Sequence, residues 1–225
     1  MKHFLSFANK RYYSGLSRIG TEALNCGYFD VVNCFTENNL PEEINNYANL
    51  NPRGYGFWIW KPFLISEYIK TINYDDIVVY CDAGCHISIK GKNRYEQYLE
   101  MLKTNDLISF ELPHLNQTWT KPDVFEKLNS QDFEQKMIVG GIVIFKKTES
   151  TIKLFEEWFQ LPYNDRSLID DSKSILKNGS FKDHRHDQSI YSLIVKKYNP
   201  IILEDETYMF SGNDFKYPFN ATRWK

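Results

Sequence analysis

Short apolar runs alternate with amphipathic stretches along the whole chain. HFLSFA (3–8), FDVVNCF (29–35), DIVVYCD (76–82), DLISFEL (106–112), MIVGGIVIFKK (137–147) and PIILE (200–204) read as strands. They are rich in β-branched and aromatic residues and short enough for a half-buried or buried sheet. Between them lie helical patterns. Residues 17–26 predict a helix ended by Gly27. Residues 41–49 predict a short one, with Pro41 in the first turn and acids beside it. In 60–72, Phe63, Leu64, Tyr68 and Ile72 fall at helical spacing. Further helices are expected at 94–104, at 148–160 behind a Thr148 or Ser150 cap, and at 186–198. The alternation predicts an α/β fold with a mostly parallel central sheet flanked by helices. In such sheets ligands are met beyond the carboxyl ends of the strands.

Length adds that 225 residues can bury one sizeable core, and no repeat or low-complexity linker divides them. Aromatics reach 16%, which suits either a tyrosine-rich core or a cleft that stacks on rings and sugars. A net charge of −2 carries no strong basic field, so a nucleic-acid polymer is not the expected partner. Cys26, Cys34, Cys81 and Cys85 form no CxxC pair and read as reduced thiols. The opening MKHFLSFANKRYY has too short an apolar run for a signal peptide. No apolar segment approaches the ~20 residues of a membrane span. A cytoplasmic place is therefore expected, with peripheral membrane association through a partner left open.

Four stretches carry candidate chemistry. Asp82-Ala83-Gly84 puts a carboxylate where a strand exits, with small neighbours that let a phosphate approach the backbone. The same residues also suit a turn. RGYGFWIWKP (53–62) surrounds an aromatic with Gly54 and Gly56, which implies unusual backbone angles. Its Arg53 and Lys61 are cations for phosphate or an acidic sugar, while Trp58 or Trp60 packs. Gly140-Gly141 interrupts an apolar strand, which signals a bend, a bulge or close approach of a ligand. DHRHDQS (183–189) crowds His184, Arg185, His186 and Asp187 ahead of a helix. Asp187 alone would cap that helix. The group together offers metal ligands, a phosphate clamp and a carboxylate for a reacting carbon.

The order of these stretches, GYGFWIWKP then VVYCDAG then GG then HDQ, resembles small GT-A-type glycosyltransferases of bacteria and large DNA viruses. The resemblance covers roughly residues 2–200. It implies a GT-A-like Rossmann-type fold in one catalytic domain, 1–225. The nucleotide-binding part would be about 1–112 and the acceptor part about 113–225. It also implies a nucleotide-sugar donor, with uridine diphosphate the default, a glycan or other hydroxyl acceptor, and Mn2+ or Mg2+ held by an Asp-x-Asp motif. Asp82 matches that motif's first acid; Gly84 stands at the second, so His184, His186 or a residue after Ser211 would complete the site. Ala8, Asn9, Arg11 and Tyr12 match the nucleotide-holding loop after the first strand, with Arg18 a further candidate. Gln188 and Asp187 match the segment that faces the sugar. Arg223 and Lys225 are offered as phosphate contacts.

Glycosyl transfer expels a diphosphate, so cations beside it lower the barrier; a metal at Asp82, Lys61 and Arg185 are placed in that role. Gly140 and Gly141 would approach the donor. Asp187 is the expected catalytic carboxylate and Glu111, at the fourth strand's end, the second. Tyr55, Phe57 or Trp119 would stack on an acceptor sugar. Two rivals use the same residues: a metal-dependent phosphoester hydrolase built on Asp82, His184, His186 and Asp187, and a nucleotide-sugar or glycan-binding module without catalysis.

Overall fold

In the computed structural model, which describes residues 1–176, 178–208 and 215–222, the strands predicted from the pattern form one sheet. They are β1 (Lys2–Phe7), β2 (Val31–Phe35), β3 (Ile77–Cys81), β5 (Leu107–Leu115), β6 (Lys136–Ile138), β7 (Ile142–Lys146) and β8 (Ile201–Glu204). A small pair, β4 (His86–Ile87) and β9 (Phe219–Asn220), stands apart. The sheet order is β2-β1-β3-β7-β5-β6, with β8 on the other edge of β5. β1, β2, β3, β5 and β8 run one way; β6 and β7 are reversed.

Alternation along each strand builds two cores. Leu5, Phe7, Val78, Tyr80, Val143 and Phe145 point to one face. There they meet α4 (Trp60–Thr71), α8 (Glu149–Asn164) and α9 (His186–Ile194). Phe4, Val79, Cys81, Ile142 and Ile144 point to the other face, against α1 (Tyr13–Asn25) and α5 (Lys92–Met101). The period of two decides which residue goes where. The remaining helices are short: α2 (Glu42–Leu50), α3 (Gly54–Phe57), α6 (Asn116–Trp119) and α7 (Pro122–Lys127). Thr148, rather than Ser150, caps α8, its hydroxyl accepting from the Thr151 amide.

Two local features depart from the simple pattern. The apolar run 137–147, expected as one strand, is two. β6 and β7 lie along the same edge of β5, and Val139-Gly140-Gly141 loops out between them. The second feature is α3, which is not a right-handed turn. Gly54, Tyr55, Gly56, Phe57 and Trp58 all have positive φ, between 52° and 81°. Such backbone costs roughly 1–2 kcal/mol per non-glycine residue, so the surrounding packing must enforce it. Phe57 and Trp58 supply that packing: their rings lie 5.1 and 5.3 Å from the His186 ring. A side chain at Gly54 would meet the Trp58 ring at 2.3 Å.

Gly54→Ala is therefore expected to lower the urea-unfolding free energy by at least about 1–2 kcal/mol and to weaken ligand binding in the adjoining cleft. Thr148→Ala, remote from it, should cost about 1 kcal/mol and leave binding unchanged. Equal effects of the two on binding would remove the left-handed turn from the site.

Candidate functional site

A cleft of about 650 Å³ opens at the carboxyl ends of β1 and β3. Its floor is built by three separate backbone devices. β3 ends at Cys81, and Asp82 follows, its amide donating to the Gly141 carbonyl at 2.8 Å. The excursion between β6 and β7 removes Gly140 from the ladder and turns its carbonyl inward. The start of α9 carries Asp187, whose carbonyl accepts from the Trp158 indole at 2.9 Å.

All three devices converge on Lys61, which the left-handed turn delivers from the first turn of α4. Its Nζ lies 2.9 Å from Asp187 Oδ2 and 3.2 Å from Asp82 Oδ1. It also donates to the Gly140 carbonyl at 3.0 Å. Nζ also stands 5.9 and 5.6 Å from the centroids of the Trp60 and Tyr80 rings. The Lys61 side chain is 3% exposed and that of Asp187 5%, whereas Asp82 is 36% exposed. Asp82 is thus the member that meets solvent. The Tyr80 hydroxyl donates to Asp82 Oδ1 at 2.6 Å. Gly141 faces the other oxygen: a Cβ there would sit 2.8 Å from Asp82 Oδ2. The glycine is required by that close approach.

Electrostatics follow from burial. Burial works against the Lys61 ammonium, but Asp187 and Asp82 outweigh it and hold its pKa above the ordinary lysine value. Burial pushes the Asp187 carboxyl up to about 6, with Lys61 opposing. Burial, then Asp82, keeps the Tyr80 hydroxyl protonated far beyond the usual tyrosine range.

Of the residues expected at the site, Ala8, Asn9, Arg11, Tyr12, Lys61, Asp82, Ala83, Gly84, Gly141, Arg185, His186, Asp187 and Gln188 line this cleft, with Tyr55. The Gln188 side-chain Oε1 accepts from the Gly140 amide at 3.0 Å. Others stand elsewhere. Glu111 lies on β5, separated from β3 by β7, and pairs with Lys136 at 3.1 Å. Phe57 is buried against His186. Trp119 lies under the Arg185 guanidinium, 4.3 Å away. Arg18 donates to Glu22 and to the Ala83 carbonyl behind the cleft wall. Arg53 does line the cleft, at its rim, where it bridges Asp171 and Asp183 at 2.8 and 3.0 Å. Arg223, Lys225 and Ser211 lie outside the described residues.

The expected metal set does not come together. His184 is buried, accepts from the Lys121 amide through Nδ1 and donates through Nε2 to the Leu168 carbonyl. Burial lowers its pKa to about 3, so the ring stays neutral. His186 donates through Nδ1 to the Ile169 carbonyl. Among the described residues no group of three or more His, Cys, Asp or Glu converges. Asp82, His184 and His186 therefore form no shared ligand set among the described residues.

Tyr80 is the functional neighbour that sequence reading missed. It lies two residues before Asp82 on the same strand face, which period-two alternation made legible.

No family profile matches the chain, and no curated protein sequence does. Solved structures do. A glycosyltransferase involved in glycosylating the major capsid of PBCV-1 aligns at 10% identity and a TM-score of 0.53, over 97% of this chain and 92% of that one. The apo form of glycosyltransferase GlyE of Streptococcus pneumoniae TIGR4 aligns at 12% and 0.51, over 92% of this chain and 46% of that one. At these identities the likeness establishes a shared fold.

Lys61→Met would leave two carboxylates facing each other with no counter-charge. It is expected to cost about 3–5 kcal/mol in chemical denaturation, part of it recovered when Asp187→Asn is added. A neutral single variant would mean that the ammonium does not hold the pair.

Proposed function

We propose that the chain is a glycosyltransferase that takes a nucleotide-activated sugar in this cleft and passes the sugar to a hydroxyl of a glycan or other acceptor. The observation that carries the reading is the pairing of Asp82 and Asp187 across one ammonium at the carboxyl ends of β1 and β3. That is where an α/β sheet meets its ligand. The shared fold supports it.

In this reading Asn9 and Tyr12 meet the nucleotide after β1, with uridine the default by fold analogy. The diphosphate lies beside Ala83-Gly84, where small residues admit it, and Arg11 and Arg185 face its charge. The sugar points to Asp187 and Gln188, and Tyr55 offers a ring to the acceptor. The bond from the anomeric carbon to the diphosphate oxygen breaks, and the diphosphate leaves with the electron pair. The acceptor oxygen bonds to that carbon, and its proton goes to Asp187 as general base. Lys61 holds Asp187 and Asp82 oriented throughout. The hydrolase rival loses support because His184 has both ring nitrogens on backbone groups and no group of three or more His, Cys, Asp or Glu converges among the described residues.

Thermal-shift titration with UDP, GDP and TDP is expected to raise the melting temperature with one of them. Turnover needs Asp187 ionised, so kcat/KM should fall as pH drops through about 6. Asp187→Asn should bind the nucleotide and lose on the order of 10²–10⁴-fold in kcat. No shift with any nucleotide would sink the reading. Binding without turnover of any nucleotide sugar would turn it into a binding module.

A further inference from the structure

The oxygens around Lys61 Nζ are of the kinds that form divalent-cation sites: two carboxylates and a backbone carbonyl. Each arrives by a different device. Asp82 comes from the end of β3 and is steadied by the Tyr80 hydroxyl. Asp187 comes from α9, whose first turn is pinned to α8 through Trp158. The Gly140 carbonyl comes from the break between β6 and β7, held by Gln188 on its amide side. Three elements thus build one cation position, where the ammonium donates to the Gly140 carbonyl and ion-pairs with one oxygen of each carboxylate.

The charge balance points the same way. Two carboxylates and one ammonium leave one negative charge. A dication entering between them would lie against the ammonium, or would have to expel it from its place beside the Trp60 and Tyr80 rings. The second acid that could bind a metal outside this position is replaced by Gly84. The cleft-lining arginines for a diphosphate are instead Arg11, Arg53 and Arg185, the last two sharing Asp183.

We infer that Lys61 is a built-in cation, its ammonium occupying the divalent-metal position between Asp82 and Asp187, so that the cleft binds a nucleoside diphosphate without a divalent metal. The second half rests on the proposed nucleotide-sugar reading; the first stands on the Lys61 cage alone.

Two measurements separate the halves. Manganese binding is read by the electron paramagnetic resonance of the free ion. The wild-type protein should take up none at micromolar manganese. Lys61→Ala, which vacates the position and leaves its oxygens, should acquire one site, and manganese should raise its melting temperature. A merely structural lysine would give no such gain. If Lys61→Ala does not fold, Lys61→Ser, which also vacates the position, takes its place, with the same gain expected and the same absence of gain overturning the assignment. Separately, the melting-temperature rise with UDP, GDP or TDP should be the same in EDTA and in manganese. Tight manganese binding by the wild type, or a folded Lys61→Ala that gains none, overturns the assignment of Lys61. A nucleotide shift that needs manganese overturns metal independence. No nucleotide shift in either condition overturns the nucleotide reading, while the gain of manganese binding still upholds the Lys61 cage.

Discussion

Two carboxylates and one ammonium gathered at the ends of a sheet, with Lys61 and Asp187 buried and Asp82 open to the cleft, set the main constraint on this molecule. Burying any one of them alone would be costly, and the pairing repays that cost only when the geometry is complete. Completion here takes the Gly140 carbonyl as the third acceptor for Lys61 and the Tyr80 hydroxyl as a second donor to Asp82. The backbone irregularities of the chain serve this cluster. The strand break frees a carbonyl, Gly141 makes room for the Asp82 carboxylate, and the left-handed turn from Gly54 to Trp58 aims α4 so that Lys61 enters from behind.

The same constraint divides the labour between residues. Lys61 and Asp187 are nearly sealed, while Asp82 meets the cleft. Lys61, held by both carboxylates and the Gly140 carbonyl, can only fix the groups that meet a substrate. The exposed cations of the cleft, Arg11, Arg53 and Arg185, are the groups able to meet an anionic ligand, and Arg185 is itself braced on Trp119 and by Asp183. Stability is therefore concentrated under the cleft and adaptability at its rim, a division expected where a rigid scaffold carries a binding site.

Much of this was legible from local pattern. The strand ending in Asp82, the helix opening at Asp187, the Thr148 cap and the turn at Gly54 and Gly56 are all written within a few residues of sequence. What was not legible depends on strand order. Glu111 also sits on a strand with a parallel direction, but the reversed β7 lies between β5 and β3 and carries it away from the cleft. The histidines misled for a related reason. They are adjacent to Asp187 in sequence, yet His186 takes a positive φ and both rings turn inward to backbone carbonyls. Gly140-Gly141 announced an irregularity, and a bend, a bulge and a ligand approach all fitted it. Only the shared edge of β6 and β7 on β5 shows that the run is two strands with a carbonyl released between them.

The most direct test is a crystal structure of the protein grown with UDP and manganese, with data collected for anomalous scattering. The account predicts a diphosphate over the carboxyl ends of β1 and β3, near Ala83-Gly84 and Arg185. Lys61 should still bridge Asp82 and Asp187, with no anomalous peak between them. A manganese peak at that position with Lys61 displaced, or a nucleotide bound outside this cleft, would contradict it.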